Sequence, residues 1–199
     1  MTPSFQERER LFASPLAYGA RLPGGKSRLP GFSAPSRGDV VVAELPYAEA
    51  RSWPVRIADS VVRFFTGQRV TPGSSRRPEW AGQIGLFRIV GLPGDTVRMT
   101  DHICYVQPAG KEAFVSEFEL SGKRYELGRQ SLPEGWFSDL PFSGFMKAVT
   151  VPEGHYFIVT DNRFSGIDSR YFGPVAADAI LQRIVFRYWP PARFGVPGS

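Results

Sequence analysis

The chain has one cysteine, two histidines and four lysines among 199 residues, and each scarcity closes off a class of chemistry. A single cysteine, Cys104, permits no internal disulfide and no multi-cysteine metal site. His102 and His155 have no partner at metal-ligand spacing, so neither a metal nor another cofactor is expected. No run approaches the roughly 18 apolar residues that span a bilayer, and the opening MTPSFQERER lacks the apolar stretch of a secretion signal. The sequence as it stands is therefore not expected to cross a membrane. Net charge is +5, yet the basic residues are scattered rather than gathered on one element, which predicts a solvated surface and no nucleic-acid partner.

What is present describes a folded chain. Hydrophobic residues make up 42% and aromatics 14% against 22% charged, which excludes a disordered chain. The 21 glycines and 18 prolines predict short strands joined by many turns. Turn signals dominate the first 37 residues, and GDVVVAEL at 38–45 reads as a β-branched strand after a Gly-Asp turn. From Trp53 to Gly67, WPVRIADSVVRFFTG sets Ile57, Ala58, Val61, Val62 and Phe65 at helical spacing, with Pro54 in the first turn. IGLFRIV, GLPGD and TVRMTDHICYV, within 84–107, read as a strand, a tight turn and a strand pair. Residues 108–147 are more polar and lack a period, as an insertion would. VPEGHYFIV and AILQRIVFRYW then return to strands. The expectation is a mostly β fold with a discontinuous core of 1–107 and 148–199 around an inserted small β region at 108–147.

Between those last strands lies TDNRFSGIDSRYFGPV, residues 160–175, dense in groups able to form an internal polar network. Three stretches, RGDVVV at 37–42, FRIVGLPGDTV at 87–97 and VPEGHYFIVTDNRFSGIDSRYFGPV at 151–175, occur in an order and spacing that resembles the bacterial type I signal peptidases. The resemblance implies a coiled β-sheet domain with a smaller inserted β region. It also implies a membrane-anchored serine protease that removes signal peptides outside the cytoplasmic membrane through a Ser/Lys dyad. Asp161, Asn162, Arg163, Asp168, Ser169 and Arg170 match the family's loop, where the pair corresponding to Asp168 and Arg170 braces the site from behind.

The chemistry-bearing positions depart from that pattern. Met1, Pro3 and Ser4 fit the family's segment just after its nucleophile, which places the serine immediately before Met1. Arg8 and Glu9 stand where the family has Gly-Asp. The base lysine corresponds to Phe87, which cannot accept a proton, and the adjacent Arg88 stays charged with a pKa above about 12. Thr160 replaces a glycine, Gly166 replaces the serine that orients the lysine, and Ser165 comes one residue early. Met1, Phe87 and Gly166 thus read as vestigial positions. Phe87 is expected in an apolar pocket, and Phe87→Lys together with Gly166→Ser and a serine ahead of Met1 is expected to restore a trace of activity.

Plain structural roles compete at each position. A buried Asp168/Arg170 pair supports a loop without doing chemistry, turn geometry alone explains Gly91, Pro93 and Gly94, and Ser4, Ser14, Ser33 and Ser36 have no lysine or histidine nearby in sequence. His155 reads as one facing side chain of its strand. The leading expectation is a proteolytically inactive signal peptidase homologue of the extracytoplasmic, periplasmic side, with its anchor outside this sequence. It would bind signal-peptide-like or other extended peptides, or assist assembly. The segment from Trp53 to Gly67, flanked by Arg51, Arg56, Arg63 and Arg69, would touch the membrane surface. The alternative is an active peptidase with its serine upstream and an unconventional base. A self-cleaving repressor of related fold is disfavoured by the absence of DNA-binding helices.

Overall fold

The computed structural model describes residues 1–6, 8–20, 28–46, 83–123, 125–128, 144–164 and 166–196. The helix read at 53–67 lies outside them, as does Ser165. Among the described residues ten strands are formed: β1 (Arg10–Ser14), β2 (Val40–Glu44), β3 (Ile84–Gly91), β4 (Thr96–Thr100), β5 (Ile103–Gln107), β6 (Val115–Ser116), β7 (Met146–Thr150), β8 (His155–Val159), β9 (Val175–Ala176) and β10 (Ile180–Trp189). They build two antiparallel sheets, one of six strands in the order β1-β10-β2-β3-β8-β9 and one of four in the order β6-β5-β4-β7. The mostly β expectation holds. Among the described residues no helix is long and apolar enough to cross a membrane.

The two faces of the central strands explain their composition. On β3, Phe87 and Ile89 enter one apolar cluster with Val41, Ile158, Val175 and Ile180, while Val90 enters a second with Val97, Val106, Phe157 and Val159. Strands β3 and β8 are buried on both sides towards the loop end, which is why IVG and FIV run apolar without alternation, Arg88 being the one charged residue of that buried stretch. Strand β4 instead alternates exposed and buried residues, with Val97 and Met99 inward and Arg98 and Thr100 outward, the period of a sheet with one wet face.

Turns set the geometry between these strands. Gly94 takes φ 83°, and the Asp95 carboxylate accepts from Leu92 N at 2.8 Å within the GLPGD turn and from Ala109 N at 3.2 Å and Arg37 Nη2 at 2.7 Å, tying the turn to two other segments. Asp101 and His102, with φ 49° and 63°, make the two-residue connection from β4 to β5, where positive φ matches the twist of paired strands.

Strands β4 and β5, taken from the sequence as part of the 1–107 segment, pair with β6 and β7. Two further elements arise where the sequence shows no period. β1 forms within the turn-rich first 37 residues because its partner is β10 at the far end of the chain, with Arg10 opposite Trp189 and Ser14 opposite Arg183. A helix at Glu117–Ser121 is capped by Ser116, whose hydroxyl accepts from Glu119 N, and stopped by Gly122 at φ 62°. Its five residues are too few to show helical spacing.

Candidate functional site

The site grows from the end of β3 and the loop after β8. Arg88 and Asp161 are both 0% exposed and meet through Nε to Oδ1 at 2.9 Å and Nη2 to Oδ2 at 2.8 Å. Arg88 Nη1 also donates to Gly38 O at 3.0 Å, and its guanidinium lies 3.7 Å from the centroid of the Tyr125 ring. A buried ion pair is tolerable only when its remaining hydrogen-bonding capacity is met, and the guanidinium here has a carboxylate, a carbonyl and a π-face. The preceding residue has the opposite surroundings. Phe87 is 3% exposed and sits wholly among Tyr18, Val41, Ala43, Leu45, Ile89 and their neighbours, the apolar pocket expected for it.

Asp168 organises the loop. Its Oδ2 accepts from Thr160 N at 2.8 Å and lies 3.0 Å from Thr160 Oγ1 and 2.9 Å from Arg170 Nη2. Its Oδ1 accepts from Arg170 N at 3.1 Å and Nε at 2.8 Å, which also caps the short helix Ser169–Phe172. Arg170 closes the turn through Nη1 to Arg163 O at 2.5 Å and Nη2 to Gly166 O at 3.1 Å. Ser169 Oγ accepts from Ile158 N at 3.0 Å, so this serine fastens β8.

A second buried cluster, which the sequence reading missed, anchors the loop from the other side. Arg163 Nη2 donates to Glu117 Oε2 at 2.5 Å, and Glu117 also accepts from Cys104 N at 2.9 Å and Tyr125 Oη at 2.6 Å. Burial, the largest single influence, would lower the Arg163 pKa, but Glu117 together with Cys104, Tyr125 and Asp168 outweighs it and the net shift is upward. Burial, reinforced by Glu117, pushes both the Cys104 thiol and the Tyr125 phenol up. Cys104 therefore stays a thiol and is no nucleophile. The signal for this cluster was an arginine beside apolar strands, which needs a buried acid.

The segment around Met1, read from the resemblance as a vestigial position, lies beside this network. Met1 Sδ accepts from Asp161 N at 3.4 Å, Asn162 Nδ2 reaches Thr2 Oγ1 at 3.4 Å, and Asn162 Oδ1 accepts from Phe164 N at 3.2 Å. Residues 1–4 thus lie along the loop, and Leu127–Gly128 lies between them, bridged to Pro3 and Asn162. Arg8 keeps a left-handed φ of 68° where the resemblance placed glycine, and Glu9 accepts from Arg187 at 3.4 Å and from Arg193.

Gly166 requires a correction. A Cβ on it would fall 1.7 Å from Thr160 Oγ1, 2.7 Å from Thr160 Cβ and 2.8 Å from the Asn162 backbone oxygen. Gly166→Ser therefore has no room in this loop conformation and is not expected to help.

The arrangement defines a two-sheet β protein whose polar loop is held by buried ion pairs and whose Phe87 is packed in hydrocarbon. Over residues 1–189 the chain matches the family described as signal peptidase, peptidase S26. It belongs to that family. It is 37% identical over 108 residues to "Signal peptidase I" of Bacillus caldolyticus and 31% identical over 109 residues to "Signal peptidase IB" of Staphylococcus aureus, covering 54% of this chain and of the relative in each case. The chain thus spans about half the length of these curated relatives. A solved signal peptidase I from Enterococcus faecalis V583 is similar at 22% identity and TM-score 0.40, covering 76% of this chain and 97% of that one.

Proposed function

We propose that this chain is a signal peptidase I homologue of the extracytoplasmic face that binds signal-peptide-like or other extended peptides, or assists assembly, without cleaving them. The observation that carries the reading is Phe87, buried in hydrocarbon where the resemblance requires a basic lysine. Among the described residues, Lys111 and Lys147 are exposed and Lys123 is paired with Asp39 at 3.3 Å. A serine hydroxyl without a base is a weak nucleophile at neutral pH. The retained frame suits binding, because an extended peptide can add to a sheet edge through main-chain hydrogen bonds, and β1 is an outer strand of the six-stranded sheet. Contact with the membrane through the segment from Trp53 to Gly67 belongs to the same proposal.

The test is to incubate the chain with a fluorescent signal-peptide substrate, following anisotropy for binding and mass spectrometry for cleavage. Saturable binding with an intact peptide is the expected result. Turnover above a no-protein control would overturn the inactive reading, and absence of binding would remove the peptide role. Anionic liposomes should retain the chain at low salt and release it as salt rises; no retention would remove the membrane contact.

A further inference from the structure

The four-stranded sheet ends on an outer strand, β7, which among the described residues pairs only with β4. Val151 N donates to Asp95 O at 2.8 Å and Val151 O accepts from Gly94 N at 2.9 Å, so Val151 turns its main chain toward the β4 side. Successive residues of a paired strand turn theirs to opposite sides. Thr150 therefore presents its N–H and C=O outward, and the residue is exposed. An exposed edge of this kind is a template for pairing with another chain.

The surface beside the edge sets the chemistry of the partner. Val97 pairs with Val149 and Met99 with Met146, which leaves both Lys147 and Ala148 opposite Arg98, a β-bulge. Around it lies a groove of about 670 Å³ whose lining includes Arg98, Thr100, Phe145, Lys147 and Ala148. Arg98 and Lys147 are the charged residues of that lining, and both are exposed. The Arg98 guanidinium is 4.3 Å from the centroid of the Phe114 ring, and Phe145 is 55% exposed. The acids at the two ends of β4, Asp95 and Asp101, lie outside the lining, and Asp95 is bound to Arg37. We propose that β7 is a docking edge for an extended acidic peptide. The peptide adds as a further strand through the Thr150 main chain and sets its carboxylates against Lys147 and Arg98.

Charge decides among the occupants of such an edge. A second copy docking edge to edge would bring cation to cation, and like charges opposed across a strand pair are destabilising. Lysine on an edge thus turns away another edge of the same kind while attracting an acidic strand. Signal peptides open with a positively charged region, so the same two cations disfavour them here. The inference goes beyond the peptide-binding reading above and does not rest on it, because β7 belongs to the other sheet and takes a partner of the opposite charge.

The test uses a fluorescent peptide of about ten residues alternating valine and glutamate, which combines strand propensity with negative charge. Anisotropy should show saturable binding that weakens by about tenfold or more between roughly 50 and 500 mM salt, and a valine–lysine counterpart should not bind. Amide NMR spectra should place the shifts on Met146–Thr150, with slower hydrogen exchange at Thr150. The double variant Arg98→Glu/Lys147→Glu should weaken the glutamate peptide by about tenfold or more and should bind the lysine peptide instead. Thr150→Pro removes the outward N–H without touching the ladder to β4 and should weaken binding as well. Should that variant not fold, N-methylating alternate residues of the probe makes the same test from the peptide side. Absence of binding, equal binding of the two peptides, or unchanged affinity in the charge-reversed variant would overturn the proposal. So would sedimentation showing that parent copies pair through β7. Shifts on β1 in place of β7 would overturn it too while leaving the peptide-binding reading standing.

Discussion

Phe87 and Arg88 are consecutive residues on one strand, both buried, and their surroundings could hardly differ more. Arg88 faces Asp161, Gly38 O and the Tyr125 ring, whereas Phe87 faces only apolar side chains. The strand's alternation sends one residue to a polar network and the next to hydrocarbon. The comparison sets a fully partnered buried charge beside a position packed entirely in hydrocarbon. A buried charge persists where every partner remains, because removing one leaves the others stranded. A buried amine that has lost its task has no such support, and replacing it by hydrocarbon is energetically favourable.

The largest test of this contrast is Asp161→Ala, which leaves the Arg88 guanidinium buried with no counter-charge. We expect a loss of about 4 kcal/mol in denaturant unfolding, and a midpoint close to the parent's would show that the polar side of β3 is not what holds it. Asp168→Ala should cost slightly less, about 3 kcal/mol, because Arg170 reaches solvent at 10% exposure and retains its bonds to Arg163 O and Gly166 O. Equal effects of the two changes would mean that depth of burial does not rank these pairs.

A pH experiment comes next in size. The Cys104 thiol is raised in the folded state by burial and by Glu117, while the unfolded thiol keeps its ordinary value near about 8.5. The folded chain therefore binds more protons above that value. Its contribution to stability is complete below about pH 8.5 and is lost above it at up to about 1.4 kcal/mol per unit. Urea unfolding at pH 8 and pH 10 should show the decline in the parent and a smaller one in Cys104→Ala; identical slopes would place the thiol's folded value near its unfolded one. The smallest effect has the opposite sign. Arg8 holds φ 68°, a conformation that costs a non-glycine residue on the order of 1–2 kcal/mol, so Arg8→Gly should stabilise by about 0.5–1 kcal/mol after its own entropy cost. Destabilisation would mean that the arginine side chain contributes more than its backbone costs.

Much of the fold was readable because it rests on local signals. β2, β3, β8 and β10 are apolar runs bounded by turn residues, and their extents follow the sequence reading closely. The approach of Asp168 to Arg170 was readable too, since the two are close in sequence and a turn joins them. β1 was not, because a half-exposed strand of five residues gains its ladder from a partner at the other end of the chain. Glu117 and Tyr125 were hidden for a similar reason: they lie in a polar stretch without period, and only folding brings them to Arg163 and Arg88.

Side-chain chemistry and turn preference belong to residues and their near neighbours, so the sequence alone determined that the chain is mostly β, that no lysine stands at position 87 and that the loop carries paired charges. Distance across the sheets belongs to no local segment. Only the tertiary structure decided that Arg88 answers Asp161, that Arg163 answers Glu117, and that a side chain at 166 would meet Thr160 and the Asn162 backbone oxygen, because atoms several residues apart in a loop compete for the same volume only once the loop has closed.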